Sequence, residues 1–460
     1  MTGTMTGAMI GPPRTFRAPG KLVLIGEYAV LDGAGAVVAA VDHGVRCTWS
    51  PGPRGWTTPG DDSFVRAALG ALPETAGHYT FEDWNAVDLG GSKAGFGGSA
   101  AATVAAVIAA GRPPKDAFDV HRKVQGGGSG VDVFAALNGG VRRFPDGAQV
   151  PAPCFAVVWS GQSAQTGPRV ALYKAWKDRT AFVDDSRALV DGFAYAPVAV
   201  TREAWRLLRG MAREAGIAYE TLEHCDIADA AERFGGGAKP SGAGGGDIAV
   251  AVFPDSDARA AFVADCEAHN RKVIPCKVAE PAGLWALHGQ AVDLLPFNPD
   301  RLRIALSNRG ALAAHLEAIV PASWPQPDYA AVLPILADRW SRDPGEAQWA
   351  WLVVERASGT LVGEIGGKVG PNREGELEFG YAILPEHRKR GLAKDAVRTF
   401  EAWAAQQPGV KALTAESLDF NVASKAVLRG AGLSETGSRI EAGSRVILWR
   451  KALANRETGR

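Results

Sequence analysis

The chain has 460 residues, room for about two to four domains, with ordinary hydrophobic (46%) and charged (22%) fractions. Fifty Lys and Arg balance fifty Asp and Glu, so bulk charge points to neither nucleic acid nor a membrane surface as a partner. No run of about 18 apolar residues marks a membrane span. The five cysteines (Cys47, Cys154, Cys225, Cys266, Cys276) are scattered, odd in number and without C-x-x-C spacing, so they read as reduced thiols of a cytoplasmic protein with no structural zinc.

Residues 1–13 lack an apolar signal core and read as a disordered tail, with Met5 and Met9 as alternative starts. Residues 22–25 read as a buried strand, with Lys21 between a Pro-Gly turn and that strand. A lysine so placed meets a phosphate as a point charge, or stands solvated at the strand edge. Residues 37–41 and 45–49 read as two strands around Asp42-His43-Gly44. A helix is expected over 64–72, and a strand over 86–89 feeding a glycine turn.

That turn, Lys93-Ala94-Gly95-Phe96-Gly97-Gly98-Ser99-Ala100-Ala101-Ala102, runs into an Ala-rich apolar segment that reads as a helix from Ser99 to about Ala110. Ser99 stands where an N-cap belongs. The first helical amides lack internal partners and the helix dipole is positive there, so the turn suits an anion, above all a nucleotide phosphate; a plain tight turn before a buried helix is the alternative.

A second glycine turn, 126–130, precedes Asp132 and an apolar helix. A carboxylate there can take a proton from a substrate hydroxyl or orient Mg²⁺, or simply stabilise the helix start. Residues 139–141 and 155–160 read as a hairpin-like pair of strands. The polar turn 160–166, with Ser163 and Thr166, holds a polar substrate or caps the helix that contains Tyr173 and Trp176. Finally, Lys239-Pro240-Ser241-Gly242-Ala243-Gly244-Gly245-Gly246-Asp247 precedes the strand 248–253, and glycines crowded there suit a loop whose backbone approaches a ligand closely.

Three separated motifs, Ala18-Pro19-Gly20-Lys21 with Gly26-Glu27-Tyr28, the Gly95–Ala101 loop, and residues 239–247, occur in the order found in the GHMP kinases (galactokinase, homoserine kinase, mevalonate kinase, phosphomevalonate kinase). Residues 14–297 resemble that family, and no G-x-x-x-x-G-K-[ST] is present. Lys93, the stretch QGGGSGVDV from Gln125 to Val133 and SGQSAQT from Ser160 to Thr166 resemble the phosphomevalonate kinase branch. The resemblance implies a two-lobed fold, ATP and Mg²⁺ as cofactors, and transfer of the γ-phosphoryl group to the phosphate of 5-phosphomevalonate. It implies an ATP loop of Gly95, Gly97, Gly98, Ser99, Ala100 and Ala101, with Ser99 also toward the metal. Lys21, Lys93 and Asp132 take catalytic roles. Lys21, Tyr28, Ser129, Ser163, Thr166, Lys239, Ser241, Gly242, Ala243 and Gly244 face the substrate. The family's second motif usually reads GLGSS; here Gly98 replaces the first serine, which leaves open weaker activity or nucleotide binding without turnover. Mevalonate, homoserine and sugars are other family substrates.

The pattern restarts near residue 297, and a boundary between 297 and 298 is expected. Residues 302–306 read as a strand, 329–340 as a helix, and 349–355, 361–366 and 376–383 as strands. Arg388-Lys389-Arg390-Gly391-Leu392-Ala393 is a basic turn before a helix with Ala396, Val397, Phe400, Trp403 and Ala404 at helical spacing, again an anion site. It fits R-x-x-G-x-A and is followed by the strand 412–417 and by Asn421 and Ser424. Residues 301–453 resemble the GNAT N-acetyltransferases, which implies a fold with a central mixed sheet, the whole chain being α+β or α/β. The resemblance also implies acetyl-CoA held by the amides of 388–393, with Asn421 and Ser424 near its thiol end. The acceptor is a protein N-terminus or a small amine. Many relatives carry a tyrosine general acid seven residues after that asparagine; here it is Leu428, leaving Ser424 or water to protonate the thiolate. Glu378 is the candidate base, or an outward-facing strand carboxylate. Oligomeric state is not legible.

Overall fold

A computed structural model describes residues 11–453. Strands β1 (Arg14–Ile25), β2 (Ala36–Ser50), β3 (Gly55–Thr57) and β4 (His78–Trp84) open the chain, with α1 (Ser63–Leu69) before β4. Helices α2 (Gly98–Ala109), α3 (Asp116–Gln125) and α4 (Val131–Asn138) precede β5 (Val141–Phe144) and β6 (Cys154–Trp159). A helical block follows: α5 (Thr166–Ala175), α6 (Thr180–Gly192), α7 (Pro197–Ala215) and α8 (Leu222–Arg233). Then come β7 (Gly237–Pro240), β8 (Ile248–Phe253), α9 (Ser256–Ala268), β9 (Val273–Ile274), β10 (Gly283–His288) and β11 (Val292–Pro296). The last third holds α10 (Pro299–Ser307), α11 (Arg309–Leu316), α12 (Pro327–Arg342), β12 (Ala350–Glu355), β13 (Thr360–Gly367) and β14 (Glu376–Ile383). It closes with α13 (Leu392–Ala404), β15 (Ala412–Leu418), α14 (Val422–Gly430), β16 (Ser434–Glu441) and β17 (Ser444–Ala452).

The architecture is α+β. One mixed sheet runs β16-β17-β15-β14-β13-β12-β11-β10-β1-β2-β4-β3, with β5 also on β2; a second runs β7-β8-β6-β9. Helix α2 packs on β1 and β2 because its surface is almost all alanine and valine. Ala100, Ala101, Val104, Ala105, Ala106 and Val107 are all buried, and small side chains let the helix axis approach the sheet closely. Helix α7 is amphipathic: Val200, Ala204, Trp205, Leu208, Met211 and Ala212 line its buried stripe and Pro197 stands at its start, as the 3.6-residue period and a missing first N–H require. Helix α13 buries Ala396, Val397, Phe400, Trp403 and Ala404. Trp349 and Trp351 pack edge-on against Trp403, 5.5 and 4.9 Å between ring centroids, so both belong to the core.

Several expectations are corrected. The tail expected over 1–13 falls mostly outside the described residues, but Pro12 is buried and the Pro13 carbonyl accepts a bond from the His288 amide at 2.8 Å. Lys21 lies inside β1, opposite Ala40 on β2, because the strand passes through Pro19-Gly20 with a register shift between Ala18 and Gly20. The two strands expected over 37–49 are one, β2. The segment 86–89 is irregular; the strand before the glycine turn is β4. β5 joins β2 while β6 joins β8 and β9 in the other sheet, so they form no hairpin. Residues 302–306 are helical, inside α10: Pro299 opens that helix and the Asn298 side chain caps it by accepting the Arg301 amide.

β11 pairs with β10 on one side and with β12 on the other, from Val292↔Glu355 to Pro296↔Trp351. The sheet therefore runs unbroken past residue 297. All five cysteines are free, and no helix among the described residues is long and apolar enough to cross a membrane.

Candidate active sites

The first site forms where β1, the glycine turn, the start of α4 and the loop after β7 meet. Gly97 has φ +78 and stands at the N-cap of α2, which begins at Gly98. Ser99 is thus in the first turn and not the cap; its hydroxyl is 3.4 Å from Nε2 of His121. Gly97 is required there on two counts. Its backbone is left-handed, and a Cβ would stand 3.3 Å from Cγ of Lys21 and 3.4 Å from a carboxylate oxygen of Asp132. Lys21 and Asp132 therefore converge on the same side of Gly97, against the loop.

Lys21 is pinned at both ends. Its amide donates to the Phe96 carbonyl at 2.8 Å and its ammonium to the Gly95 carbonyl at 3.1 Å. One ammonium of three donors spent on a neutral carbonyl leaves the charge for an anion. Gly242 of the third motif is also close: a Cβ there would stand 3.7 Å from Nζ. Asp247, last residue of the third motif, packs against Gly95 and accepts the Ala164 amide at 3.0 Å. Burial raises its pKa, opposed by that hydrogen bond and by the charges of Lys21 and Arg169. Burial lowers the His121 imidazole, opposed by Asp132.

The polar turn 160–166 serves the glycine loop. Ser163 Oγ donates to the Lys93 carbonyl at 3.1 Å and lies 3.2 Å from the Lys93 amide, so the Lys93 backbone is fixed and its side chain is exposed. Thr166 is exposed in the first turn of α5, and Ser129 lies 3.4 Å from the Val131 amide at the start of α4.

Three residues expected to face substrate lie beneath the third loop. The Lys239 side chain is fully buried, paired with Glu27, and its ammonium also reaches the carbonyls of Val23 (3.4 Å) and Pro240 (3.2 Å). Ser241 exchanges hydrogen bonds with both the amide and the carbonyl of Val23. Tyr28 donates to the Ala243 carbonyl at 2.6 Å. Their polar atoms hold the loop that presents Gly242, Ala243 and Gly244. The sequence reading missed His121, and it quoted Asp247 and Glu27 inside motifs without assigning them roles. A carboxylate ending a glycine run, at φ +59, was the available signal.

The second site is a split in the large sheet. β14 and β15 pair in parallel only over Glu376–Glu378 and Ala412–Thr414. Beyond that β14 pairs with β13 alone and β15 with β17 alone, so the two strands part. At the end of β14 the chain turns through Lys389 (φ +60) and Gly391 (φ +80), the N-cap of α13. The amides opening α13 at Leu392 and Ala393 have no intrahelical acceptors. Arg388 is spent on the Ile383 carbonyl (2.9 Å) and Gln326, and Arg390 on buried Glu355. The side chains thus brace the turn, and its amides with the exposed Lys389 are left for a pyrophosphate. This fits acetyl-CoA, as the Gly97 turn and Lys21 fit ATP.

Asn421 caps α14 by accepting the Ser424 amide at 3.0 Å. Tyr381 on β14 reaches across, its hydroxyl 3.2 Å from Ser424 Oγ. Glu378, the expected base, is ion-paired with Lys368. Leu428 is fully buried in the core. Glu364 on β13 accepts a bond from Trp324 Nε1 at 3.1 Å, and burial pushes its carboxyl up to about 7.

Residues 200–272 match the GHMP kinases C terminal family and residues 308–434 the acetyltransferase (GNAT) domain family. A mevalonate kinase of Archaeoglobus fulgidus is 26% identical over 291 residues, 56% of this chain and 98% of that protein. A phosphomevalonate kinase of Streptomyces sp. (strain CL190) is 28% identical over 331 residues, 51% of this chain and 88% of that protein. The crystal structure of the Lin0012 protein from Listeria innocua is similar with a TM-score of 0.52 at 23% identity, over 59% of this chain and 99% of that one, a likeness of fold. The chain thus joins two enzyme domains, a GHMP kinase domain with mevalonate and phosphomevalonate kinases among its relatives and a GNAT acetyltransferase domain.

Proposed function

We propose that the first domain transfers the γ-phosphoryl group of ATP to the phosphate of 5-phosphomevalonate, and that the second moves the acetyl group of acetyl-CoA to an amine. The convergence of Lys21 and Asp132 on the glycine loop at Gly97 carries the kinase reading. Phosphoryl transfer demands alignment and charge neutralisation more than covalent chemistry. The amides opening α2 and the Lys21 ammonium would hold the ATP phosphates; Mg²⁺, held by Asp132 and the Ser99 hydroxyl, would neutralise charge on them. An acceptor phosphate is already ionised, so Asp132 orients metal or charge and abstracts no proton. Lys93, exposed with its backbone fixed by Ser163, supplies a cation for that acceptor. The parted strands β14 and β15 and the α13 turn support the acetyl-CoA reading. The acceptor is a protein N-terminus or a small amine, and the free cysteines suit the cytoplasm.

The test is ADP release by the full chain with Mg-ATP and 5-phosphomevalonate, beside mevalonate, homoserine and a sugar. Turnover with phosphomevalonate alone supports the assignment. Turnover with another alcohol instead moves the reading to that kinase. A second reading is favoured by Gly98, which stands where the family usually has serine: the first half binds nucleotide without turnover and regulates the acetyltransferase. Calorimetric ATP binding with silence toward all four acceptors would select it.

A further inference from the structure

The acetyl-CoA reading leaves one chemical role open. When the amine attacks the thioester carbonyl, the C–N bond forms, the C–S bond breaks, and sulfur departs with the electron pair. The amine attacks neutral, and its nitrogen, cationic once the C–N bond has formed, gives up a proton that balances the one the thiol gains. Until then the thiolate needs a hydrogen-bond donor. Position 428 offers none, since Leu428 is buried in the core.

Ser424 and Tyr381 face each other across the split. The last paired residues of β14 and β15 are Glu378 and Thr414. Tyr381 is three residues past that point, held in register by its pairing with Ile365 on β13. Ser424 follows β15, fixed in the first turn of α14 by the Asn421 cap. The Tyr381 hydroxyl is 3.2 Å from Ser424 Oγ and 3.4 Å from the Ser424 carbonyl oxygen. A carbonyl only accepts, so the phenol donates to one of the two Ser424 oxygens, of which Oγ is the nearer. Burial raises the Tyr381 pKa, and the phenol stays a donor. When the phenol donates to Oγ, the serine's own proton is free for a second acceptor.

Building on the acetyl-transfer reading, we propose that Tyr381 is a positioning residue that orients the Ser424 hydroxyl as hydrogen-bond donor to the departing sulfur. It replaces from β14 what a tyrosine at position 428 would supply from α14.

The experiment needs no acetyl acceptor. The full chain is saturated with CoA, and the bound thiol is titrated by the ultraviolet absorbance of the thiolate, with CoA affinity measured by calorimetry. A hydroxyl donor stabilises the thiolate, so the bound thiol ionises about one pH unit below free CoA, the worth of one hydrogen bond to a charged group. Ser424→Ala and Tyr381→Phe each return it toward the free value with CoA affinity within about twofold. The double variant is no worse than Ser424→Ala alone, and Ser424→Thr keeps the low value. Thermal unfolding unchanged in Tyr381→Phe excludes a merely structural effect. A titration unmoved by Tyr381→Phe, or a double variant that adds the two shifts, overturns the inference and leaves acetyl transfer standing. Failure of the wild-type chain to bind CoA or acetyl-CoA overturns the acetyl-transfer reading, and the inference with it.

Discussion

Replacing Lys239 with methionine tests whether that lysine supports the third loop or touches substrate. Both Lys239 and its partner Glu27 are buried, their side chains 0% and 1% exposed. All three ammonium donors are accounted for by Glu27, Val23 and Pro240. Remove them and Glu27 keeps only the Gly242 amide at 3.5 Å on Oε1, while Oε2 has no partner among the described residues. A buried charge stripped of its partner costs ~3–5 kcal/mol. Met fills much of the lysine's apolar volume, so cavity formation adds little. Lys239→Met should therefore lower the stability of the kinase domain by ~3–5 kcal/mol. The double variant Lys239→Met with Glu27→Gln should recover more than half, because the stranded charge is gone and a neutral amide remains. Urea unfolding followed by circular dichroism reads both, with acetyl-CoA binding as the control for the other domain. The reasoning is refuted if Lys239→Met costs less than about 1 kcal/mol and yet weakens ATP or acceptor binding tenfold. That result would put the ammonium against a ligand.

Lys93→Ala should cut kinase turnover by about a hundredfold, with stability within ~0.5 kcal/mol of wild type because the side chain is exposed; acetyl-CoA binding measured alongside should not move. Gly97→Ala forces a Cβ into a left-handed turn 3.3 Å from Lys21; it should cost ~1–2 kcal/mol and weaken ATP binding in calorimetry. Glu364 gives a pH dependence. Its folded pKa of about 7 lies above the ordinary 4.5, so the folded state binds the extra proton and this contribution is full at low pH. Stability should fall as pH rises from about 4.5 to about 7, by up to ~3 kcal/mol, and level off above. Glu364→Gln should flatten that slope in urea midpoints measured across the range.

What the sequence revealed and what it hid follow from the range of the interactions involved. The glycine turns were legible because a left-handed backbone at Gly97 and Gly391 and an ordinary helix after it are local demands, and they leave local marks in composition. The amphipathic helix of Ala396, Phe400 and Trp403 was legible for the same reason. β2 was read as two strands because Asp42-His43-Gly44 has turn composition. In the fold, the His43 ring lies 2.7 Å from the carbonyls of both Asn85 and Pro275, contacts from distant chain that let a polar residue sit mid-strand. Alternation of Leu302, Ile304 and Leu306 suggested a strand, yet Asn298-Pro299 is a helix-start signal that outweighs five residues of alternation. The strand β5 was found but its partner was not, since pairing across a hundred residues leaves no local trace. Lys239 was assigned to substrate through the resemblance of its motif; its partner Glu27 is 212 positions away, beyond the reach of a local pattern.

The junction between the domains bears on how the two chemistries coexist. A hinge would need a boundary crossed by few contacts. Here β11 carries a full antiparallel ladder to β12 on one edge and joins β10 on the other. The β10–β11 turn donates the amides of Gln290, Ala291 and Val292 to Asp395, one turn into α13. Gly289 lies so close to that helix that a Cβ would stand 2.6 Å from Asp395 and Thr399 side-chain oxygens. On the other face of the junction, Arg17 of β1 lies over the Trp285 ring at 3.3 Å and pairs with Glu317 at 2.6 Å, which Arg46 of β2 also reaches. The strand that carries Arg17 carries Lys21 four residues later, and the helix that carries Asp395 begins at the expected pyrophosphate turn. Each site is therefore anchored, within one turn or one short strand segment, to the other domain. Freeing β11 from β12 would expose an apolar strand edge, a surface that proteins keep covered. The physical unit is one sheet with a site on either side of its seam, and separation of the two activities into independent fragments runs against that ladder.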